Sequence, residues 1–452
     1  MSDMIHEGLH GCSAEESYVQ PKDPLIQERL EWFKDQKLAL MMHYGPYSQL
    51  GIDASWALSD GDASWSRKCV DWEDDTATFR RQYVEAYKTF NPIRIQPDKW
   101  ADFAAENGFR YLIFTTKHHD GFCMWDTQYT DYRITAEDCP FHTHKHADIV
   151  GSVFEAFRKR GIAIAAYFSK PDWHCPWYWA EGMETPVAAH RNPTYSTAEH
   201  PEIWEKFVEF THNQIMELME NYGRIDILWL DGGQVNPNNN QDIRLSEVVA
   251  RARKIQPWLI TADRTVGGEN ENYITPEQSI PGNVIRVPWE SCVTVGNQWG
   301  FRFGDTYKSA RTLVKMLIQV VSYGGNLALN VGPQPNGELP PAALRELSGL
   351  GAWLKKNGEA IYETRPWNIP RRDDVYFTKK GTDVYALYPL AQDEELASSF
   401  RIPAVSGVSA ITRLDTGDSL PFTQADDGIR ITLPAPISGQ DTPAAVFKMQ
   451  IG

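Results

Sequence analysis

Two carboxylic acids stand where a chain of this kind could do chemistry. The first closes the run Ile225-Asp226-Ile227-Leu228-Trp229-Leu230-Asp231-Gly232-Gly233. Period-two alternation puts Ile225, Ile227, Trp229 and Asp231 on one face of an extended segment. Asp231 then ends an apolar strand just before two glycines that let the chain turn. A carboxylate held there suits a nucleophile; a helix-capping Asp in a loop is the alternative. The second acid is Glu290, in Pro288-Trp289-Glu290-Ser291, read as the end of the next apolar run, Val284–Val287, or else as a solvated loop residue. Two carboxyls flanking a glycosidic bond are what its hydrolysis requires, with retention at a separation of about 5–5.5 Å and inversion at a wider one.

Other polar groups recur at the ends of apolar runs. His118 and His119 follow Tyr111–Thr115 in Thr116-Lys117-His118-His119-Asp120-Gly121-Phe122, and His43 and Tyr44 follow the first run. Tyr167 and Trp173 flank Ser169-Lys170-Pro171-Asp172, and Asp263-Arg264 follow Leu259-Ile260-Thr261. Histidines could bind sugar hydroxyls, serve as satisfied core residues, or ligate a metal. Adjacent histidines point apart and lack the shared-face spacing of helical zinc sites, so hydroxyl binding is the better reading and no metal or cofactor is expected. A metal-dependent hydrolase built on His43, His118, His119 and Asp231 is the rival, testable with EDTA.

The elements that would position these groups alternate. Apolar runs at Leu38–Tyr44, Tyr111–Thr115, Ile162–Phe168, Ile225–Leu230, Trp258–Thr261, Val284–Val287 and Asn326–Val331 read as strands buried on both faces. Helical patterns at Pro97–Asn107, Ala147–Lys159, Pro201–Tyr222, Leu245–Lys254, Tyr307–Tyr323 and Pro341–Asn357 separate or follow them. Such alternation predicts a parallel sheet closed as an α/β, (β/α)8-like TIM barrel, whose functional groups lie at the C-terminal strand ends. Past Trp367, short alternating segments such as Asp374–Thr378, Val384–Tyr388 and Ile429–Leu433 are punctuated by Gly, Pro and Asp. They predict a small C-terminal antiparallel β-sandwich. The division expected is an N-terminal arm (1–30), a catalytic barrel (31–365) and the sandwich (366–452).

Composition narrows the partner. Of 452 residues, 42% are hydrophobic and 23% charged, as in a globular enzyme. The formal net charge of −16, without a basic run, opposes nucleic acid and anionic membrane and favours a neutral substrate. Sixteen tryptophans fit either a large core or faces that cover the C–H patches of sugars. The six cysteines show no CxxC pair and read as reduced thiols. The first twenty residues lack a basic segment followed by an apolar one, and no stretch is long enough to span a membrane. A cytoplasmic address is the expectation, or a periplasmic or secreted one if a leader has been removed.

With these motifs in hand, the chain resembles glycoside hydrolase family 29, the α-L-fucosidases, from about His43 to Trp367. The resemblance rests on His43-Tyr44-Gly45, on the stretch from Phe90 through Lys117-His118-His119-Asp120-Gly121-Phe122, and on Leu228-Trp229-Leu230-Asp231-Gly232-Gly233. Trp289-Glu290-Ser291, Gly324-Gly325-Asn326-Leu327-Ala328-Leu329-Asn330 and Asn357-Gly358-Glu359 continue it. It implies a retaining, exo-acting enzyme that removes terminal fucose from oligosaccharides or glycoconjugates. Asp231 would be the nucleophile and Glu290 the acid/base, with Glu277, Glu269 and Glu271 in reserve. His43, His118, His119, Tyr167 and Arg264 would contact fucose, and Trp65 would pack near it. Two departures from the family pattern stand out. Tyr44 replaces a tryptophan. Ser64, rather than a glutamate, precedes Trp65, leaving Asp62, Asp71 or Glu73 to supply the contact of that glutamate. A lectin-like protein and a glycosidase for another sugar, such as galactose, are the remaining alternatives. Linkage and oligomeric state do not follow from the sequence.

Overall fold

The computed structural model describes residues 11–67, 75–183 and 191–451, together with the backbone of 6–7. Seven parallel strands make the central sheet: β1 (Leu38–Met42), β2 (Tyr111–Lys117), β3 (Ala163–Ser169), β4 (Ile227–Asp231), β5 (Ile260–Asp263), β6 (Glu290–Thr294) and β7 (Asn326–Asn330). Their order is β5-β4-β3-β2-β1-β7-β6. Nearly every strand residue is buried, because side chains on one face fill the barrel and those on the other meet helices. The outer layer is built from α1 (Pro24–Gln36), α2 (Thr76–Glu85), α3 (Pro97–Glu106), α4 (Ile149–Lys159), α5 (Pro201–Asn221), α6 (Leu245–Ile255), α7 (Ala310–Ser322) and α8 (Pro341–Asn357).

Between the edge strands β5 and β6 the chain joins neither edge as a full strand, its one short strand, Ser279–Ile280, pairing in parallel with His6–Glu7, yet it links them. The Asn272 N–H donates to the Thr261 carbonyl on β5, and the N–H groups of Glu290 and Cys292 on β6 donate to the carbonyls of Ile274 and Pro276. This segment carries Glu277 to the rim of the barrel. The interior is packed by Met41, Ile113, Tyr167, Trp229, Ala262, Tyr273 and Cys292, and α1 closes its floor with Ile26, Leu30 and Phe33. Asp23 starts that helix, accepting the Leu25 N–H ahead of Pro24.

One strand lies elsewhere than expected. Val284–Val287 is not extended; the sixth barrel strand is Glu290–Thr294. Arg286 and Pro288 interrupt the apolar run, and the true strand, Glu-Ser-Cys-Val-Thr, is hidden by its polar half.

The second unit consists of β8 (Arg365–Arg372), β9 (Val375–Lys380), β10 (Asp383–Pro389), β11 (Ser399–Pro403), β12 (Val408–Arg413), β13 (Phe422–Ala425), β14 (Gly428–Thr432) and β15 (Ala444–Ile451). A five-stranded antiparallel sheet, β8-β9-β10-β15-β12, and a three-stranded one, β11-β14-β13, enclose a separate core that includes Phe377, Ile402, Ile429 and Phe447. Tyr376, Tyr385, Leu387 and Val446, on the other face of the larger sheet, join the barrel core.

Candidate active site

Asp231 is the last residue of β4, opposite Ser169 at the end of β3. The chain turns at once. Gly232 adopts a φ of 90°, and a Cβ there would lie 2.2 Å from Pro171 Cδ, so glycine is required to bring the end of β4 against the β3 loop. Three groups surround the Asp231 carboxylate. Arg264 Nη1 donates to Oδ1 at 2.8 Å, Tyr167 donates its hydroxyl proton to Oδ2 at 2.6 Å, and His119 Nε2 lies 3.6 Å away. Burial alone would raise its pKa, but Arg264, His119 and Tyr167 outweigh it and hold the carboxyl well below the usual carboxylate range. Burial also lowers the His119 pKa to about 4. That imidazole is therefore neutral near pH 7, and the cation that keeps Asp231 ionised is Arg264.

Arg264 performs a second task. Its Nη2 donates to Glu277 Oε2 at 2.7 Å, while Nε donates to Thr275 Oγ1 at 3.0 Å. Its guanidinium carbon sits 4.6 Å above the Trp229 ring. One planar fork thus links the carboxyl ending β4 to one from the segment between β5 and β6. Both line a pocket of about 320 Å³ whose wall includes His43, Trp56, His118, Tyr167, Trp229 and Trp299.

The histidines are arranged as neutral hydrogen-bonding groups. His43 Nδ1 faces Asn330 Oδ1 at 2.8 Å, and burial lowers its pKa to about 4. His118 Nδ1 meets the Ser55 hydroxyl, and burial holds its pKa well below the ordinary imidazole range. Both ring nitrogens of His119 are buried with no hydrogen-bond partner among the described residues. Ligand atoms of His118, His119 and Asp231 lie within 4.8 Å of one another, a spacing that could also hold a cation. The Arg264 guanidinium bound directly to Asp231 opposes a second positive charge there.

Several expected residues stand elsewhere. Glu290 begins β6 and pairs in register with Asn326, at the floor of the barrel rather than its mouth. It is fully buried, accepts the hydroxyl proton of Tyr111, and accepts the Trp229 indole N–H at 3.0 Å. Burial lifts its pKa to about 7, against the Tyr111 and Trp229 hydrogen bonds, but it does not line the pocket. Tyr44 points away from the pocket, packed edge-on against Phe90 and Trp100, because only His43 of that pair shares the inward face. Trp65 is 38% exposed and lies behind Trp56, which is the tryptophan that reaches the site, 4.7 Å from the His119 ring. Asp62 forms a bidentate pair with Arg191 at 2.9 and 2.6 Å, and Arg191 lies over Trp56. Asp71 and Glu73 fall outside the described residues. Glu269 bonds Ser246 and Glu271 bonds Ser13, and neither lines the pocket.

Trp56 and Arg191 were not singled out in the sequence. Arg191 stands in an irregular loop and Trp56 opens a single 3-10 turn, Trp56–Leu58, so neither helical nor strand periodicity marks a face.

The α-L-fucosidase family model matches residues 9–359. The rat tissue α-L-fucosidase is 27% identical over 423 residues, spanning 89% of this chain and 85% of its own. α-L-Fucosidase isoenzyme 1 from Paenibacillus thiaminolyticus superposes with a TM-score of 0.77 at 26% identity, over 95% of this chain and all of the other. The α-fucosidase of Thermotoga maritima, solved in complex with fucose, superposes at 0.75 with 25% identity, over 96% and 98% of the two chains. The chain belongs to the α-L-fucosidases of glycoside hydrolase family 29.

Proposed function

We propose that this protein is a retaining, exo-acting α-L-fucosidase that releases terminal fucose from neutral oligosaccharides or glycoconjugates, with Asp231 as nucleophile and Glu277, rather than Glu290, as acid/base. The observation that carries this assignment is the Arg264 fork. It joins Asp231, which ends β4, to Glu277, the other carboxyl lining the pocket.

Fucose enters between Asp231 and Glu277, and its hydroxyls meet the neutral imidazoles of His43 and His118, which line the pocket. His119 does not line the pocket; it is fully buried behind it, with Nε2 3.6 Å from Asp231 Oδ2. Met41, Trp56 and Trp299 offer apolar surface to the sugar's methyl group, which galactose lacks. Asp231 Oδ attacks the anomeric carbon while Glu277 gives its proton to the departing oxygen, leaving a β-linked fucosyl ester on Asp231. Glu277 then takes a proton from water, and that water breaks the ester to give α-L-fucose. Tyr167, on the same carboxylate, and Arg264 stabilise the charge that returns to Asp231.

The test is hydrolysis of an aryl α-L-fucoside by wild type, Asp231→Ala, Glu277→Ala and Glu290→Gln, each with and without azide. Expected are a nearly inactive Asp231→Ala and a Glu277→Ala rescued by azide with α-fucosyl azide as product. Glu290→Gln should stay near wild type. Rescue of a Glu290 variant to an α-azide, with Glu277→Ala unimpaired, would return the acid/base role to Glu290.

A further inference from the structure

Glu277 stands on an irregular segment, so its direction depends on what packs against it from both sides. On the barrel side the main chain is fixed to β6. The Cys292 N–H donates to the Pro276 carbonyl at 3.0 Å, and the Gln278 N–H donates to the Cys292 carbonyl at 2.9 Å. Against its side chain lies the N-terminal arm, which the chemistry above leaves unused. Gly11 lines the catalytic pocket and has a φ of 63°. A Cβ at that position would lie 2.9 Å from Glu277 Cβ and 3.6 Å from Glu277 Oε2. Any residue but glycine would therefore strain the arm and push on Glu277.

The arm is fastened to the same segment at further points. The buried Glu271 carboxylate accepts the Ser13 hydroxyl proton at 2.5 Å, the Gly267 N–H at 2.7 Å and the Thr265 N–H at 3.3 Å. The chain turns just after Arg264, with Thr265 at a φ of 65°, and Glu271 staples that turn to the arm. Beyond it the Gly268 N–H donates to the Ser17 carbonyl at 3.5 Å, and the Arg286 N–H donates to the Glu15 carboxylate at 2.9 Å. Residues 11–18 thus brace both members of the Arg264–Glu277 pair, through the turn that follows the first and the flank of the second. Residues 11–13 bring no charge to it. Burial, helped by the Glu271 carboxylate, pushes the Cys12 thiol up to about 11 against the pull of Arg264, so it stays neutral near pH 7. What the arm contributes is position.

We infer that the N-terminal arm is a working wall of the active site, in which Gly11 is a positioning residue that sets the direction of the Glu277 carboxyl and Ser13 ties it in place. This rests on the reading of Glu277 as acid/base and adds what holds that carboxyl. Proton donation needs the acid within hydrogen-bond reach of the departing oxygen. A small displacement of Glu277 therefore costs most where the leaving group most needs a proton, and little where it departs as a stable anion. A general loss of fold or of sugar binding makes no such distinction.

Wild type, Gly11→Val, Ser13→Ala and Glu277→Ala are compared on phenyl α-L-fucoside, whose leaving group needs a proton, and on 2-chloro-4-nitrophenyl α-L-fucoside, whose leaving group does not. The readout is the ratio of kcat/KM on the first to kcat/KM on the second, from which any unfolded fraction cancels. The ratio should fall at least about tenfold in Gly11→Val and about threefold in Ser13→Ala, against about a hundredfold or more in Glu277→Ala. Azide should raise kcat of Gly11→Val on the 2-chloro-4-nitrophenyl substrate, because a displaced base slows hydrolysis of the fucosyl ester. With the ratio lowered in Glu277→Ala, an unchanged ratio in either arm variant would overturn the positioning role: in Gly11→Val because the carboxyl has not moved, in Ser13→Ala because only added bulk moves it. An unchanged ratio in Glu277→Ala would instead overturn the acid/base assignment beneath it.

Discussion

At the scale of single residues, Arg264 does for two carboxyls what solvent cannot. It neutralises Asp231 in a buried setting and fixes the direction of Glu277. Arg264→Lys should cost about a hundredfold or more in kcat/KM, because one ammonium cannot reproduce the planar fork. Steady-state kinetics on an aryl fucoside reads this directly, and an unimpaired variant would detach the fork from catalysis. The same environment sets the acid side of the pH profile. Asp231 stays ionised throughout, and the pKa values of His43 and His119, lowered to about 4 by burial, keep both rings neutral until the pH approaches that value. kcat/KM should therefore hold as the pH falls from 6 to about 5 and drop only as these imidazoles gain protons. An acidic limb centred near 6.5, the ordinary histidine value, would show that the histidines are not desolvated as described.

At the scale of elements, the strand ends explain both what the sequence made legible and what it did not. Asp231 was readable because its strand is apolar to its last residue and the two glycines mark the turn. His43, His118, Tyr167 and Arg264 were readable for the same reason, each following an apolar run. Glu290 was misplaced because the apolar run before it, Val284–Val287, is not a strand, while the strand it begins is half polar. A residue expected at the mouth thus lies at the floor. Glu277 stood only in reserve because the segment between β5 and β6 links the edge strands through scattered main-chain bonds, without a periodic pattern. The buried position of Glu290 has its own consequence. Its pKa is raised to about 7 by burial, so the folded state favours the protonated form, and the stability it contributes is present at low pH and lost as the pH rises through about 7. Glu290→Gln, which can still accept the Trp229 N–H, should gain melting temperature relative to wild type on going from pH 5 to pH 8. A difference in melting temperature that is constant across this range would mean that Glu290 is not desolvated.

At the scale of the whole molecule, the sandwich is fastened to the barrel helices and away from the strand ends that bear the site. Arg311 on α7 donates to the carbonyls of Leu390, Thr442 and Gly439, and Trp353 on α8 donates to the Ala444 carbonyl at 3.1 Å. Arg311→Ala strips three carbonyls of one shared donor and should destabilise the fold by about 2–3 kcal/mol. Activity of the folded fraction should stay within about twofold of wild type. Thermal unfolding and active-site-normalised kinetics separate the two effects, and a loss of kcat/KM without a loss of stability would give the sandwich a part in the site. Five cysteines among the described residues are free, in keeping with the reduced thiols read from their spacing. No helix among the described residues is long and apolar enough to cross a membrane.

The central claim is that Asp231 becomes covalently bonded to fucose. It is tested by incubating the wild-type enzyme with 2-deoxy-2-fluoro-α-L-fucosyl fluoride and locating the adduct by intact-protein mass spectrometry and peptide mapping. The expected result is one equivalent of fluorofucosyl added to the peptide containing Asp231, and none in Asp231→Ala. An adduct on another carboxyl, or an enzyme that turns over aryl fucosides without ever being labelled and releases β-fucose first, would contradict it.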